Sequence, residues 1–345
     1  MKAKVYLVGA GPGDPGLITV KGRECIQTAD VIIYDYLASP ALLKHAPPDA
    51  EMIYVGKKGG DHTLSQDGIN ALIVEKSKAG LTVCRLKGGD PFIFGRGGEE
   101  AEVLVARGIP FEVVPGVTSA VAAAAYAGIP LTHRKMTATL AFVTGHEDPH
   151  KLESSIDWES LARGIGTLVF FMGVKNLPDI TQKLIANGKS PDTPVALIRW
   201  GTTPGQKTVT GNLDNISERV KEAGLKAPAI IVVGQVVDLR KTLKWFETRP
   251  LLGKRIVVTR AREQASDLVR QLSDLGAECL EYPTIKIAPA DDLTPLDEAL
   301  DNLSAFEWIV FTSVNGVKFF FNRLFETGRD VRDLMHIRTA AIGPA

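Results

Sequence analysis

The sequence predicts an α/β protein with a mainly parallel sheet, and three observations support this fold class. Short runs rich in β-branched residues alternate with amphipathic stretches along the whole chain, which is typical of repeated βαβ units. Several runs, among them VIIYD, LVFFM and AIIVVG, are almost continuously apolar, as expected of parallel strands buried on both faces. Glycine-rich segments follow some of these strands directly, where open α/β sheets bind their ligands.

The first 245 residues carry strands separated by helices. The predicted strands span Lys4–Val8, Val31–Tyr34, Met52–Val55, Thr82–Leu86, Phe111–Val114, Leu140–Thr144, Thr167–Met172, Val195–Arg199 and Ala229–Val233. The helices predicted between them include Thr19–Ala29, Ser65–Lys78, Gly98–Arg107, Ser119–Ala127 and Asn176–Asn187.

A change of composition at Lys241–Lys254 predicts a domain boundary. This stretch, KTLKWFETRPLLGK, combines positive charge with a proline and a glycine, and a new strand follows at Arg255–Thr259. We therefore assign residues 1–245 to a first domain, 246–253 to a linker and 254–345 to a second domain. The sequence stops at TAAIGPA, a strand that enters a turn, so the second domain is expected to be incomplete. Its further predicted elements are Gln264–Leu275, ECLEYP, Pro295–Leu303, Trp308–Thr312 and Gly316–Thr327.

The composition excludes several classes of protein. A chain of 345 residues is expected to form about two domains. Lys+Arg and Asp+Glu balance at 40 each, so no global positive field attracts nucleic acid. Cys25, Cys84 and Cys279 form no C-x-x-C pair, which argues against disulfides and structural zinc and favours the reducing cytoplasm. The sequence shows no signal peptide and no apolar run long enough to cross a membrane.

The first glycine-rich segment is Gly9–Gly16, GAGPGDPG, which directly follows the first strand. Part of it matches the dinucleotide fingerprint G-x-G-x-x-G, with Asp30 or Asp35 as the acid expected on the ribose. Two prolines weaken this interpretation, because each fixes φ and lacks an N–H donor for a pyrophosphate. The alternatives are a plain tight turn and a wall of a cofactor cleft, and we favour the cleft.

Two further segments indicate a ligand site. RLKGGDPFIFGRGG, at 85–98, follows a predicted strand and has five glycines that allow a close approach to a ligand. Phe92 and Phe94 in this loop are suited to cover an adenine or a macrocycle. VPGVTS, at 114–119, is a strand end, a turn and a helix start. Thr118 or Ser119 is expected to cap this helix, and their hydroxyls can also face a ligand carboxylate.

Together these motifs resemble the tetrapyrrole methylase family, and within it the uroporphyrinogen-III C-methyltransferase branch. The resemblance covers about residues 1–245 and is carried by VGAGPGDPGLIT, VIIYD, VGKKGG, RLKGGDPFIFGRGGEE, VVPGVTSA, AGIPLTHR, VTGH, VFFMG and APAIIVVGQVV. It implies two α/β subdomains with the cofactor, S-adenosyl-L-methionine, in a cleft between them. The cofactor contacts that it implies are Pro12, Gly88, Gly89, Asp90, Ile93, Thr118, Ser119, Met172 and Gly201.

The resemblance also implies catalytic roles. Asp35, which ends VIIYD, matches the family's proton acceptor, and Lys57, in VGKKGG, matches its proton donor. Judged from the residues alone, Asp35 is also compatible with a helix N-cap, and Lys57 with a solvated surface charge. A sulfonium donates its methyl group without a metal. His146 and His150 have a metal-like spacing but lie in a loop interrupted by a proline, so no metal site is expected.

The implied substrate, uroporphyrinogen III, carries many carboxylates, so cations must converge on it. Our hypothesis is that Arg96 and Arg134 bind its acetate or propionate arms. His133 is as compatible with a structural hydrogen bond as with catalysis. The implied reaction is two successive C-methylations that give precorrin-2, for sirohaem or cobalamin, and the family implies a homodimer. The basic residues in loops after predicted strands are Lys57, Lys58, Arg96, Arg134 and Lys135.

Residues 253–345 resemble the N-terminal part of uroporphyrinogen-III synthase through GKRIVVTRAREQAS, LGAE, WIVFTSVNGV and AAIGPA. Thr312, Ser313 and Asn315 match cleft positions of that family. An incomplete lobe would leave apolar surface and strand edges uncovered, so no synthase activity is expected. Three alternatives stay open for the whole chain: a sister methylase with another substrate, an NAD-dependent dehydrogenase and a non-catalytic tetrapyrrole carrier.

Overall fold

The computed structural model describes residues 4–56, 64–146, 155–259, 262–285 and 287–342. Its contacts divide the chain into two units. The first unit comprises Met1–Arg255 and Leu272–Glu278, and the second comprises Ile256–Gln271 and Cys279–Ala345. The first unit contains two five-stranded sheets, and the candidate site lies within it.

All strands of the first sheet are parallel, as the apolar runs predict. One face of the sheet packs against α2 and α3 through Ile69, Ile73 and Leu104, and the other packs against α1 through Cys25 and Ile26. Because the strands are parallel, their carboxyl ends share one edge. The strands are β1 (Val5–Gly9), β2 (Val31–Tyr34), β3 (Glu51–Tyr54), β4 (Val83–Lys87) and β5 (Phe111–Val114), ordered β3-β2-β4-β1-β5, and the helices are α1 (Val20–Gln27), α2 (Gln66–Lys78) and α3 (Gly97–Ala106).

Helix α4 (Ser119–Tyr126) leads from the first sheet to the second and packs on the second through its alanines. The second sheet has the order β6-β7-β10-β8-β9. Helices α5 to α7 cover one face of it. The elements are β6 (Leu140–Thr144), α5 (Trp158–Gly164), β7 (Thr167–Phe171), α6 (Leu177–Ala186), β8 (Pro194–Arg199), β9 (Lys207–Asn212), α7 (Ile216–Glu222), β10 (Ala229–Val233) and α8 (Arg240–Leu243).

The prediction of a mainly parallel sheet is wrong for this second sheet. Only β6 and β7 pair in parallel, whereas β10 is antiparallel to both β7 and β8, and β8 is antiparallel to β9. The AIIVVG run of β10 is buried on both faces, between two apolar clusters. A continuous apolar run therefore reports burial on both faces, but the connections between strands decide their direction. Since β7 and β8 both oppose β10, their carboxyl ends lie at one edge.

The edge strand β9 was not predicted, because its sequence KTVTGN mixes exposed polar residues with a glycine. It is recognisable as a strand only through its pairing with β8. Arg219 Nη1 donates to the Thr210 carbonyl oxygen at 2.8 Å, which satisfies one acceptor of this strand. Four predicted strands have the observed bounds: Val31–Tyr34, Phe111–Val114, Leu140–Thr144 and Ala229–Val233.

The segment assigned to a linker, 246–253, is packed into the first unit at its beginning. Phe246 is 3% exposed, and its ring centroid lies 4.8 Å from that of Tyr126 in α4. Glu247 pairs with Arg240 Nη2 at 2.6 Å and accepts a hydrogen bond from Gln206 Nε2 at 2.8 Å. These contacts make the segment part of the first unit's structure and not a free connector.

The C-terminal elements form two two-stranded sheets, β11-β12 and β13-β14, and the second pair is parallel. Leu300, Leu324, Leu334 and Ile337 form a small buried core. On β13, Ile309 packs against this core whereas Trp308 and Val310 are exposed. The elements are β11 (Arg255–Val258), α9 (Arg262–Asp274), β12 (Glu278–Glu281), α10 (Thr294–Asp301), β13 (Trp308–Phe311), α11 (Val314–Glu326) and β14 (Arg338–Ala341).

Candidate functional site

Three glycines at the carboxyl edge of the first sheet pack backbone against backbone. Gly9 ends β1, and Gly89 and Gly116 follow β4 and β5. A Cβ atom on Gly9 would lie 2.5 Å from Gly116 Cα, and one on Gly116 would lie 2.3 Å from the Gly89 carbonyl oxygen. No side chain fits at Gly9 or Gly116 without a backbone shift. We call the backbone of Gly9, Gly89 and Gly116 the glycine floor.

The segment Gly9–Gly16 lacks the geometry of a dinucleotide loop. Gly11 N donates to Gly89 O at 3.2 Å, and Gly89 N donates to Gly11 O at 2.7 Å, so these amides are already used within the protein. Pro15–Leu17 forms a 3-10 turn, and α1 begins only at Val20. No helix therefore starts directly from these glycines, as a pyrophosphate site requires.

Loops from the edges of the two sheets meet and form a cleft within the first unit. The loops after β1, β2 and β4 come from the first sheet, and the loops after β7 and β8 come from the second. The cleft that the family resemblance implies between two subdomains therefore has walls from both sheets. The contacts across it join Phe94 to Phe171 and Tyr36 to Trp200, at 5.0 and 5.7 Å between ring centroids, and Asp14 N to Thr202 Oγ1 at 3.0 Å.

Backbone strain is concentrated on the walls of this cleft. Within the described residues, all non-glycine residues with a positive φ lie on the loops after β4, β7 and β8. Such conformations cost on the order of 1–3 kcal/mol each and persist where the surrounding structure imposes them, often at functional sites. Their φ values are 51° for Phe94, 58° for Arg96, 56° for Met172, 49° for Trp200 and 69° for Thr202.

The nine implied cofactor contacts lie on the loops after β1, β4, β7 and β8 and at the start of α4. Thr118 occupies the N-cap position of α4 but makes no capping hydrogen bond with its side chain, so its hydroxyl stays available to a ligand. Met172 is 52% exposed, and a Cβ atom on Gly201 would lie 2.2 Å from Ala123 Cβ in α4. The remaining positions are Pro12 after β1, Gly88, Gly89, Asp90 and Ile93 after β4, and Ser119 at the start of α4.

Asp35 lies directly after β2, and its side chain is 27% exposed. Its Oδ1 accepts a hydrogen bond from Leu37 N at 3.1 Å, and its Oδ2 lies 3.4 Å from Arg85 Nη2. The helix N-cap alternative does not hold, because the next helical turn, Pro40–His45, is preceded by Ser39 at its N-cap. Lys57 and Lys58 lie outside the described residues.

A buried charge cluster beneath Asp35 was not predicted. Arg85 Nε and Lys87 Nζ both donate to Glu100 Oε1, at 3.2 and 2.7 Å, and all three side chains are buried. Burial, followed by the charge of Arg85, lowers the pKa of Lys87. The signal in the sequence was two charges at alternate positions of a strand that is otherwise apolar, because alternate residues face the same side of a sheet.

The structure does not show the predicted cations converging. Arg96 lies beside the cleft, but Glu99 already binds it at 2.8 and 2.6 Å, through Nε and Nη2, and this hydrogen bond raises the pKa of Arg96. Arg134 is exposed in a turn closed by His133 and Thr137. That turn precedes β6 and therefore lies at the amino edge of the second sheet, whereas Met172 lies at its carboxyl edge.

The two histidines with a metal-like spacing do not both lie within the described residues. His146 is described and His150 is not. Among the described residues, no group of three or more His, Cys, Asp or Glu side chains is arranged to hold a metal ion. Within the same residues, none of the helices has the length and apolar character needed to cross a membrane.

Comparison with known proteins follows the division seen in the structure. Residues 4–217 match the family described as Tetrapyrrole (Corrin/Porphyrin) Methylases. The chain belongs to the tetrapyrrole methylase family. Beyond the methylase part, residues 266–345 match the family described as Uroporphyrinogen-III synthase HemD. Both resemblances inferred from the sequence are thereby confirmed.

Relatives of this tetrapyrrole methylase cover either the whole chain or its first part. A uroporphyrinogen-III C-methyltransferase of Bacillus subtilis (strain 168) is 48% identical over 98% of this chain and 69% of its own length. An S-adenosyl-L-methionine-dependent uroporphyrinogen III methyltransferase of Methanosarcina barkeri is 57% identical over 70% of this chain and 94% of its own. The crystal structure of the Thermus thermophilus uroporphyrin-III C-methyl transferase, complexed with S-adenyl homocysteine, has a TM-score of 0.59 at 38% identity, covering 69% of this chain and all of that one.

Proposed function

We propose that this tetrapyrrole methylase transfers methyl groups from S-adenosyl-L-methionine to carbon atoms of uroporphyrinogen III. The observation that carries the proposal is the combination of the glycine floor with strained loops from a second sheet, in a chain that is 48% identical to a uroporphyrinogen-III C-methyltransferase over 98% of its length. In this assignment, catalysis consists largely of aligning the donor methyl group with a pyrrole carbon in a cleft that excludes water.

The residues around the cleft fit S-adenosyl-L-methionine. The glycine floor lets a ligand approach the backbone, and the unbonded Thr118 hydroxyl can bind a polar group of it. Ile93 and Met172 are exposed apolar side chains that can pack against a thioether or adenosine moiety. Bound there, S-adenosyl-L-methionine supplies an activated methyl group on a sulfonium. We therefore assign it to the nine contacts named above and require no metal.

Asp35 is the proposed proton acceptor and Lys57 the proposed proton donor. The Asp35 carboxylate is partly exposed beside Tyr36, whose ring contacts Trp200 across the cleft. It is therefore placed to accept the proton that a pyrrole ring loses after methylation. Repeating the reaction at a second pyrrole carbon gives precorrin-2.

Arg96 and Arg134 are proposed to bind carboxylate arms of the substrate. For Arg96, a substrate carboxylate must replace or share the bidentate contact with Glu99. Arg134 is exposed on a separate turn, so it would reach only an outlying arm or bind substrate after the turn moves. We also propose a cytoplasmic homodimer in which the C-terminal synthase-like segment, 254–345, has no synthase activity.

The deciding experiment incubates the purified chain with uroporphyrinogen III and S-adenosyl-L-methionine without oxygen, followed by mass spectrometry. The expected product carries two added methyl groups, and Asp35→Ala strongly lowers the rate of their transfer. Binding of S-adenosyl-L-methionine without methyl gain would indicate a sister methylase with another substrate. Loss of binding altogether would contradict the proposal. Formation of uroporphyrinogen III from hydroxymethylbilane above the spontaneous rate would contradict the inactive synthase assignment.

A further inference from the structure

We infer that Arg85 is a positioning residue for the reaction, and that it holds the Asp35 carboxylate in place at the cleft. This inference rests on the proposed function, since it gives Asp35 the role of proton acceptor. Arg85 is 3% exposed, in the middle of the first sheet on β4. Burying an arginine costs free energy unless its donors are hydrogen-bonded. The contacts of Arg85 therefore indicate its role in the structure.

The contacts of Arg85 leave one terminal nitrogen for Asp35. Nε donates to Glu100 Oε1 at 3.2 Å, and Nη1 donates to the carbonyl oxygens of Ile33 and Leu86 at 3.3 and 3.2 Å. Nη2 lies 3.4 Å from Asp35 Oδ2. The guanidinium is therefore fixed by three contacts from the core, and it presents its remaining edge to the carboxylate at the cleft. Leu37 N holds the other carboxylate oxygen at 3.1 Å.

The charge of the cluster gives Arg85 its effect on Asp35. Two buried cations, Arg85 and Lys87, share the single carboxylate of Glu100, so one positive charge exceeds the negative charge in the core. Asp35 is the described carboxylate that contacts this excess charge. A contact between a cation and a carboxylate orients the carboxylate more firmly than a neutral contact does. Arg85 Nη2 and Leu37 N together therefore hold both oxygens of the Asp35 carboxylate in place.

Other groups near Asp35 do not substitute for Arg85. Tyr54 and Tyr36 lie close to its carboxylate, and burial together with the charge of Asp35 raises the pKa of Tyr54. A tyrosine side chain carries no positive charge in either protonation state, so neither of them replaces the guanidinium of Arg85. Lys87 acts on Asp35 over a longer range, because its ammonium is bound to Glu100 at 2.7 Å. Among the described residues, the direct cationic contact of Asp35 is Arg85.

The test is a double-mutant cycle on the full chain with Arg85→Gln and Asp35→Asn. Arg85→Gln is expected to lower kcat for methyl transfer by about 10–100-fold, the usual loss when a supporting partner is removed. The Kd for S-adenosyl-L-methionine, measured by calorimetry, changes by less than about twofold. In the Asp35→Asn background the same substitution changes the residual rate by less than about threefold, because the residue through which Arg85 acts is already neutral.

Two further measurements separate positioning from a general structural role. Arg85→Lys keeps a positive charge on β4 and should restore part of the kcat that Arg85→Gln loses. The KM for uroporphyrinogen III should change by less than about twofold in both variants, because Arg85 acts on the rate through Asp35 and not on substrate binding. The matched control is Lys189→Met, which removes another partly buried cation that binds the carbonyl oxygens of Ala162 and Ile165. It leaves kcat unchanged.

An equal loss of rate from Arg85→Gln in both backgrounds overturns the inference and leaves the methyltransferase assignment intact. A kcat equally low in Arg85→Gln and Arg85→Lys has the same meaning, because the charge of Arg85 would then not act on Asp35. Full activity of Asp35→Asn removes Asp35 as proton acceptor and the role of Arg85 with it, while methyl transfer itself stands. Absence of methyl transfer to uroporphyrinogen III by the unmodified chain would overturn the proposed function first and the inference as a consequence.

Discussion

At the scale of single residues, the cleft contains two kinds of unusual position. At some of them a side chain does not fit, and at others a non-glycine residue has a strained, positive φ. The glycine floor lets three strand ends touch through their backbones. On the opposite wall Met172 and Trp200 adopt a positive φ. Both features are backbone conformations or contacts that few residue types allow, and both occur at the candidate cleft. They also identify residues whose substitution acts locally and measurably.

Gly116→Ala is expected to weaken binding of S-adenosyl-L-methionine by at least about tenfold and to lower stability by about 1–3 kcal/mol, as overpacking usually does. The added Cβ would lie 2.3 Å from the Gly89 carbonyl oxygen, so the loop after β4 must move. Calorimetry and thermal unfolding measure the two effects. Gly164→Ala is the matched control, because no atom lies within 4 Å of its Cβ position. Equal binding by both variants would contradict a cofactor at the glycine floor.

Arg96→Ala is expected to raise the KM for uroporphyrinogen III by about tenfold, the loss of one charge-assisted hydrogen bond. Alanine also adopts a positive φ only with strain, so the backbone penalty stays similar. Steady-state kinetics with the reduced substrate measure the effect. Arg163→Ala removes another exposed arginine bound to a glutamate, Glu159 at 2.8 Å, and should leave the KM unchanged. An unaltered KM in Arg96→Ala would remove Arg96 from the substrate site, and the same test applies to Arg134→Ala.

At the scale of secondary-structure elements, helix ends and helix pairs are stabilised by individual charged groups. Lys189 Nζ donates to the carbonyl oxygens of Ala162 and Ile165, at 2.9 and 3.0 Å, at the end of α5. Burial lowers the pKa of Lys189. Arg323 of α11 binds both carboxylate oxygens of Asp297 in α10, at 2.7 and 2.6 Å. The two contacts stabilise different units of the chain.

Lys189→Met should destabilise the first unit by about 1–3 kcal/mol, because the buried end of α5 loses the donor for its carbonyl oxygens. Chemical denaturation of the unmodified and substituted chains measures the difference. Methyl transfer at a temperature well below unfolding should be unaffected. A stability equal to that of the unmodified chain would show that water replaces the ammonium without cost.

The α10–α11 contact predicts an acid-dependent stability of the second unit. The hydrogen bonds from Arg323 lower the pKa of Asp297 below its ordinary value of 3.8. A carboxylate with a lowered folded-state pKa stabilises the fold above its unfolded-state value, and this stabilisation is lost as the pH falls through the lower folded-state value. Tryptophan fluorescence during acid titration should show part of the C-terminal unfolding below about pH 4. Asp297→Asn should remove that dependence, whereas Asp267→Asn, at an exposed pair, should not.

At the scale of the whole molecule, the methylase part carries its own cores and all the described residues of the candidate site. Its four apolar clusters contain no residue beyond Val237. The segment after α8 nevertheless contributes contacts, because Phe246 packs on Tyr126 and Glu247 pairs with Arg240. A relative that matches 240 residues of this chain, over 94% of its own length, is named as an S-adenosyl-L-methionine-dependent uroporphyrinogen III methyltransferase.

A chain ending at residue 255 should therefore retain methyl transfer within about threefold, since it keeps the cores and the cleft. A chain ending at residue 243 should be strongly destabilised, because it loses the buried Phe246 and the carboxylate of Glu247 that binds Arg240. Activity and thermal unfolding of the two truncated chains make the comparison. Equal behaviour of both would show that the packed segment contributes nothing to the first unit.

The sequence by itself determined the α/β class, the positions of most buried strands, the family and the loops that surround the cleft. It could do so because these features depend on local patterns: apolar runs, glycines after strands and motifs in consecutive residues. The nine candidate contacts of the cofactor were placed on these loops or beside them for the same reason, and they stay a prediction. The packed state of 246–249 was not visible, because a basic stretch with a proline has the composition of a connector.

Only the tertiary structure decided which of these features meet. In the second sheet β10 runs antiparallel to both of its neighbours. An apolar run indicates that a strand is buried but not in which direction it runs. The tertiary structure set Glu100 of α3 against Arg85 and Lys87 of β4, and Arg85 against Asp35. It paired Arg96 with Glu99 and placed Arg134 on a separate turn. Contacts between distant segments depend on how strands are ordered and helices packed, and no local pattern contains that information.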